Sequence, residues 1–233
     1  MNRLRIIGSG NAFNLDGRAH ACYLLEESLL LDCGASSPLR LRSLGVDFTR
    51  IRAVLLTHFH GDHIAGLPFL YLNFQFIEKR TELLHVLGPP GTEEMSRRLL
   101  DTMYPGMELG FPIEFTEIKT RASFESFEIV PYPISHKEES LGYRISWNGK
   151  TMAFSGDTAY DENLFELVRG VDLALVELSM FENDGSVAHV ALSQLKGELQ
   201  AKRIVYTHIF DRLAAAAEDA GFETASDGLE ILF

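Results

Sequence analysis

The chain has 233 residues, 46% of them hydrophobic, enough apolar material for a sizeable core, and this excludes a disordered or fibrous protein. Its formal net charge of −12 repels polyanions at long range, so bulk attraction to extended nucleic acid is not expected. Two cysteines, Cys22 and Cys33, are too few for a disulfide framework, and no apolar run has the length of a secretory leader or a membrane span, so we expect a cytoplasmic protein without membrane association, folded as one domain over residues 1–233.

In chain order, Leu4–Ile7 reads as a strand that stops at Gly8-Ser9-Gly10, followed by strands at Ala21–Leu25 and from Leu29 toward Gly34. Pro38, just after Ser36-Ser37, marks a helix start, and that helix ends near Gly45. Ile51–Thr57 is a continuous apolar run, as in a strand buried on both faces. Residues Gly66–Glu78 are helical in spacing, Leu83–Leu87 is a strand and Gly91–Met103 a second helix. From Ile113 to Phe154 the pattern turns to successive strands, with Asn148-Gly149 as a hairpin turn between Gly142–Trp147 and Lys150–Phe154. Helices at Leu164–Val168, Ser193–Ala201 and Leu213–Ala220 then alternate with strands at Asp172–Leu178, Arg203–Thr207 and Leu229–Phe233. Strands and helices alternating at both ends predict a layered α/β fold, with sheet inside and helices outside.

The chemistry concentrates in His58-Phe59-His60-Gly61-Asp62-His63, which follows the buried strand. Residues two apart on extended backbone point to one side, so His58 and His60 can grip one metal together, and Asp62 and His63, past the turn at Gly61, can face a second. Imidazole and carboxylate suit zinc and its first-row neighbours.

This HxHxDH run resembles the signature of the metallo-β-lactamase superfamily, whose members fold as a four-layer αββα sandwich with metals at one edge. The resemblance extends to His136 in Ile134-Ser135-His136, Asp157 in Ser155-Gly156-Asp157-Thr158 and His208 in Tyr206-Thr207-His208. It implies two divalent metal ions, zinc first with manganese or iron as alternatives. His58, His60 and His136 would hold one, Asp62, His63 and His208 the other, and Asp157 would bridge them. Asp62 would also orient the nucleophile.

Three further features look like the ribonuclease Z and phosphodiesterase branch: the Gly8-Ser9-Gly10-Asn11 turn, Glu177 in Val176-Glu177-Leu178, and His189 in Ala188-His189-Val190. In that branch the histidine contacts the scissile phosphate and the glutamate orients it. Only Lys137–Gly156, filled by a hairpin, separates His136 from Asp157, so the long RNA-gripping arm of ribonuclease Z is absent from this interval. The resemblance therefore implies a dinuclear hydrolase of a small phosphodiester or cyclic phosphate, acting through a hydroxide between the metals. Its rivals are transfer-RNA 3′ processing, hydrolysis of a lactone, thioester or sulfate ester, and a metal-stabilised binding protein without turnover. His20 and Arg18 lie near the glycine turn, either facing the pocket or in solvent; His85 reads as structural. The Phe-rich segment Leu67–Ile77 is either a core helix or the face of a homodimer.

Overall fold

The computed structural model describes residues 2–183, 185 and 188–233. Two mixed sheets lie face to face. The first runs in the order β13-β1-β2-β3-β4-β5-β6, from Glu230–Leu232, Arg3–Gly8, Cys22–Leu25, Leu29–Leu31, Ala53–Leu55, Leu84–Gly88 and Ile113–Glu117. The second runs β12-β11-β10-β9-β8-β7, from Ile204–Thr207, Leu173–Glu177, Lys150–Phe154, Leu141–Trp147, Phe127–Pro133 and Ala122–Phe124.

The period-two rule of strands sorts their side chains into layers. Leu29, Leu31, Ala53 and Leu55 face the second sheet and meet Leu173, Leu175, Phe154 and Tyr143 in a shared core. Their neighbours Leu30 and Val54 face the other way, onto α1 (Ser37–Ser43), α2 (Gly61–Ile64), α3 (Leu67–Leu72) and α4 (Thr92–Met103). Ala174 and Val176 pack on α5 (Glu162–Val168) and α6 (Asp211–Asp219). The result is the αββα sandwich, and burial on both faces explains why β4 and β11 read as unbroken apolar runs. No helix of the described residues is long and apolar enough to cross a membrane. Both cysteines are free and buried.

Three expectations need correction. Ser193–Ala201 is not a helix: only the short turn Leu192–Gln194 forms, and Gly197 sits at φ +95°. Leu192, Leu195 and Leu199 still pack onto the second outer core, so their helical spacing reflected burial without a helix. The strand expected over Ile51–Thr57 is confined to Ala53–Leu55, and His58 lies beyond its end. The helix expected to Glu78 widens into a π-turn at Asn73–Ile77, which carries Phe76 and Ile77 to the surface.

Topology places the site. β10, β11 and β12 are parallel, and β8 and β10 are both antiparallel to β9, so β8, β10, β11 and β12 all end at one edge. β4 ends against them: Leu141 donates to the Thr57 carbonyl and the Tyr143 hydroxyl to that of Leu56. Loops beyond the carboxyl ends of such strands are where α/β folds bind ligands.

Candidate metal centre

Five strand ends each deliver side chains to this edge: His58, His60, Asp62 and His63 after β4, His136 after β8, Asp157 after β10, Glu177 at the end of β11, and His208 after β12. Ligand atoms of His58, His60, His136 and Asp157 lie within 4.8 Å of one another, as do those of Asp62, His63, Asp157 and His208. Asp157 belongs to both groups. One of its oxygens, Oδ1, stands 3.2 Å from His63 Nε2 and 3.4 Å from His208 Nε2; the other, Oδ2, stands 3.9 Å from both His58 Nε2 and His136 Nε2.

The hydrogen bonds fix which ring nitrogens are free. His63 Nδ1 donates to Asp32 Oδ2 at 2.8 Å. The Thr57 hydroxyl donates to the same Asp32, at 2.9 Å, and therefore accepts from His58 Nδ1 at 3.0 Å. Ser179 Oγ donates to Glu177 Oε2 at 2.7 Å and accepts from His208 Nδ1 at 2.8 Å. His136 Nδ1 donates to the Ala188 carbonyl at 3.0 Å. Each outward Nδ1–H leaves an Nε2 lone pair facing inward, the tautomer a metal requires.

These inward atoms are short of donors. His58 Nε2 and Asp157 Oδ1 are buried without a hydrogen-bond partner. His63 Nε2 and His208 Nε2 face each other at 3.3 Å, and His136 Nε2 faces His60 Nδ1 at 3.0 Å. Such pairs need positive charge between them, a proton or a cation. The donor set thus fits divalent metal ions.

The titration pattern agrees. Burial keeps His58, His60 and His136 neutral by pulling their pKa values down. Burial opposes charge on His63 too, but Asp157 and Asp32 outweigh it, so the surroundings favour positive charge at its Nε2, which a proton or a metal ion can supply. Asp157 and Asp62 resist burial because the surrounding histidines keep their carboxylates ionised.

The backbone is shaped to this purpose. His208 and Asp32 sit in the left-handed region at φ +57° and +55°, conformations that cost non-glycine residues roughly 1–3 kcal/mol and gather at functional sites. Gly156, at φ +59°, packs so tightly that a Cβ there would lie 2.8 Å from Thr57 Cβ. Only glycine lets the Asp157 turn reach the residue that orients His58.

Residues 27–209 match the family described as the beta-lactamase superfamily domain. The chain belongs to the metallo-β-lactamase superfamily. Within it, the likenesses fall in the ribonuclease Z-like branch. The chain is 26% identical to ribonuclease Z of Ignicoccus hospitalis over 80% of its own length and 78% of that protein. The curated Methanococcus maripaludis ribonuclease Z is 30% identical, but the chain spans only 47% of it. Among solved structures, the metallo-β-lactamase fold protein YhfI of Bacillus subtilis superimposes with a TM-score of 0.81 at 20% identity, covering 99% of this chain and 98% of that one. A diphosphatase of the PhnP family gives 0.79 at 21% identity, covering 100% and 98%. At such identities the structural likeness concerns the fold.

This superfamily member brings all seven expected metal-facing residues together. His189 joins them: its Nδ1 donates to buried Glu177 Oε1 at 2.9 Å and lies 3.9 Å from Asp157. Arg18 is committed elsewhere, to Asp211, Ser9 and the Ala225 carbonyl. His20 accepts from the Ser36 backbone N–H at Nδ1, and its own backbone N–H donates to the Ser36 hydroxyl, so it braces a loop. His85 packs against Phe124, the two rings tilted with centroids 5.1 Å apart, as a structural residue does.

Sequence reasoning missed Asp32, Thr57 and Ser179, the partners that orient His63, His58 and His208. Asp32 alone had a signal: an acidic residue ending the apolar strand Leu29–Leu31 needs a polar partner. We expect Asp32→Asn to weaken metal binding by about 10- to 100-fold, the usual effect of losing a ligand's orienting partner. Chelator competition measures it, and unchanged affinity would show that Asp32 does not orient His63.

Proposed function

We propose that this chain is a dinuclear metal-dependent hydrolase of small phosphodiesters or cyclic phosphates. In this reading His58, His60 and His136 would hold one ion and Asp62, His63 and His208 the other, with Asp157 common to both groups. Zinc is the first choice, because five imidazoles and two carboxylates suit it. Bound there, the pair of ions supplies a water already deprotonated near neutral pH and neutralises the substrate phosphate.

The observation that carries the phosphodiester reading is the His189–Glu177 pair beside the Asp157 cluster. Burial opposes charge on His189, but the hydrogen bond and charge of Glu177, then Asp157 and Asp62, raise its pKa to about 9. The Glu177 hydrogen bond thus favours the charged ring, the form that can give up a proton. As the bond from phosphorus to the leaving oxygen breaks, His189 gives that proton to the departing alkoxide. Glu177 orients the ring and stabilises its charge. Asp62 orients the attacking water. The names of two relatives, a ribonuclease and a diphosphatase, denote cleavage at phosphorus, which supports the reading.

A small substrate is preferred over transfer RNA. The cavity lined by His60, Asp62, Asp157, His189 and His208 holds about 290 Å³. The interval from His136 to Asp157 carries only the β9–β10 hairpin, and the chain is acidic. Two free buried thiols suit a cytoplasmic setting. Exposed Leu39, Phe69, Phe76 and Ile77 suit a homodimer.

The test is a turnover screen on the purified protein, with metal content, mass in solution and melting temperature read on the same sample. We expect two metal ions per chain and cleavage of cyclic nucleotides, sugar cyclic phosphates or bis(p-nitrophenyl) phosphate. Free metal at 100 times its Kd would stabilise the fold by about 2.7 kcal/mol, and chelation would reverse the gain. Turnover confined to lactones, thioesters or sulfate esters would overturn the assignment, as would cleavage of transfer-RNA precursors alone.

A further inference from the structure

Phe13 is 76% exposed, yet it forms part of the wall of the catalytic cavity, with Asn11, Ala12, Met180 and His189. On the wall of a cavity also lined by His60, Asp62, Asp157 and His208, the Phe13 ring offers an apolar, planar surface to what enters it. The loop carrying it is held firmly. Phe13 N donates to Asn11 Oδ1 at 3.2 Å, and Asn14 Nδ2 donates to the Arg18 carbonyl at 2.9 Å. Further along, Asp16 accepts from the Asp211 backbone at 3.0 Å, and Ser9, pinned by Asp227, accepts from Ile209 N beside His208 at 2.9 Å. So constrained a loop fixes the backbone that carries the ring before any ligand arrives, which lowers the ordering cost of binding.

The geometry points to Phe13 as a stacking platform for a planar ring, so that the substrate class is a phosphodiester bearing a nucleobase or aryl group rather than a plain sugar or alkyl phosphate. This rests on the phosphodiester reading and narrows it. The phosphate would sit over the Asp157 cluster and the planar ring against Phe13. Base–aromatic stacking tolerates any base, because every base has a π-face, so selection would be for planarity and not for sequence.

The test is calorimetric binding of two phosphates, AMP and ribose 5-phosphate, to the zinc-loaded protein, in the native chain, Phe13→Ala and Phe13→Tyr. The platform predicts that the native chain binds AMP about 5- to 150-fold more tightly than ribose 5-phosphate. Phe13→Ala would bring that ratio close to one while leaving ribose 5-phosphate affinity unchanged, and Phe13→Tyr would keep it. As a surface position, Phe13 tolerates both changes without loss of fold. A native chain without preference, or a preference that survives Phe13→Ala, overturns the platform and leaves the phosphodiester reading standing. If neither phosphate binds the metal-loaded protein, the platform is overturned, while the phosphodiester reading is decided by the turnover screen.

Discussion

Replacing Asp157 by Ala is expected to drop metal content from two ions per chain to one or fewer and to cut kcat by about 100-fold or more. Loss of a ligand's orienting partner already costs 10- to 100-fold, and Asp157 is itself common to both groups of ligand atoms. Its side chain is almost wholly buried, within 3.9 Å of His58, His63, His136 and His208. Without the carboxylate His58 and His136 lose the anion 3.9 Å from their Nε2 atoms, and His63 and His208 are left with Asp62 at 3.5 and 3.1 Å, so the positive charge that Asp157 supports on His63 becomes less favourable. Asp157→Asn keeps the shape and removes the charge, so a comparable loss in both variants assigns the effect to charge. Elemental analysis and turnover measure the result. Two retained ions with undiminished rate would remove Asp157 from the centre.

His189→Ala is expected to lower kcat by about 10²- to 10⁴-fold on substrates with an alkoxide leaving group, with metal content unchanged. The loss would be smaller for p-nitrophenyl esters, whose leaving group departs without a proton. That contrast separates proton donation from a merely structural role. The pH dependence has a definite sign. The acid form is the active one, so turnover falls as pH rises through the His189 pKa, which is about 9 in the metal-free chain and is drawn lower by nearby cations. His189→Ala abolishes this alkaline limb. Glu177→Gln weakens the support for the charged ring and shifts the limb to lower pH. An unchanged alkaline limb in both variants would exclude His189 as the proton donor.

Much of the layering was readable from periodicity, because strands buried on both faces must be apolar at every position. That is the case for β3, β4 and β11, where consecutive residues such as Leu29, Leu30 and Leu31 face alternate cores. The failure at Ser193–Ala201 has the same origin. Leucines buried by an irregular loop mimic a helical stripe, and only the positive φ of Gly197 reveals the break. The Phe-rich segment was ambiguous for a further reason: a π-turn rotates the stripe, so Phe74 is buried while Phe76 and Ile77 emerge.

The side chains that can bind metal were legible because HxHxDH, His136, Asp157 and His208 are residue types with few other reasons to recur beside strand ends. Local spacing also explains why His58 and His60 lie together, with ring centroids 4.8 Å apart. Convergence is a different matter. His63 meets His208 across a sequence separation of 145, and no local rule specifies that encounter. It arises because β8, β10, β11 and β12 run in one direction and β4 ends against them. The orienting partners Asp32, Thr57 and Ser179 are ordinary residues whose roles depend on distances of 2.7–3.0 Å. Phe13 likewise reads as a loop hydrophobe until the packed loop sets it on the cavity wall. Residue chemistry is written along the chain, whereas proximity and tautomer emerge only when separate strands share an edge.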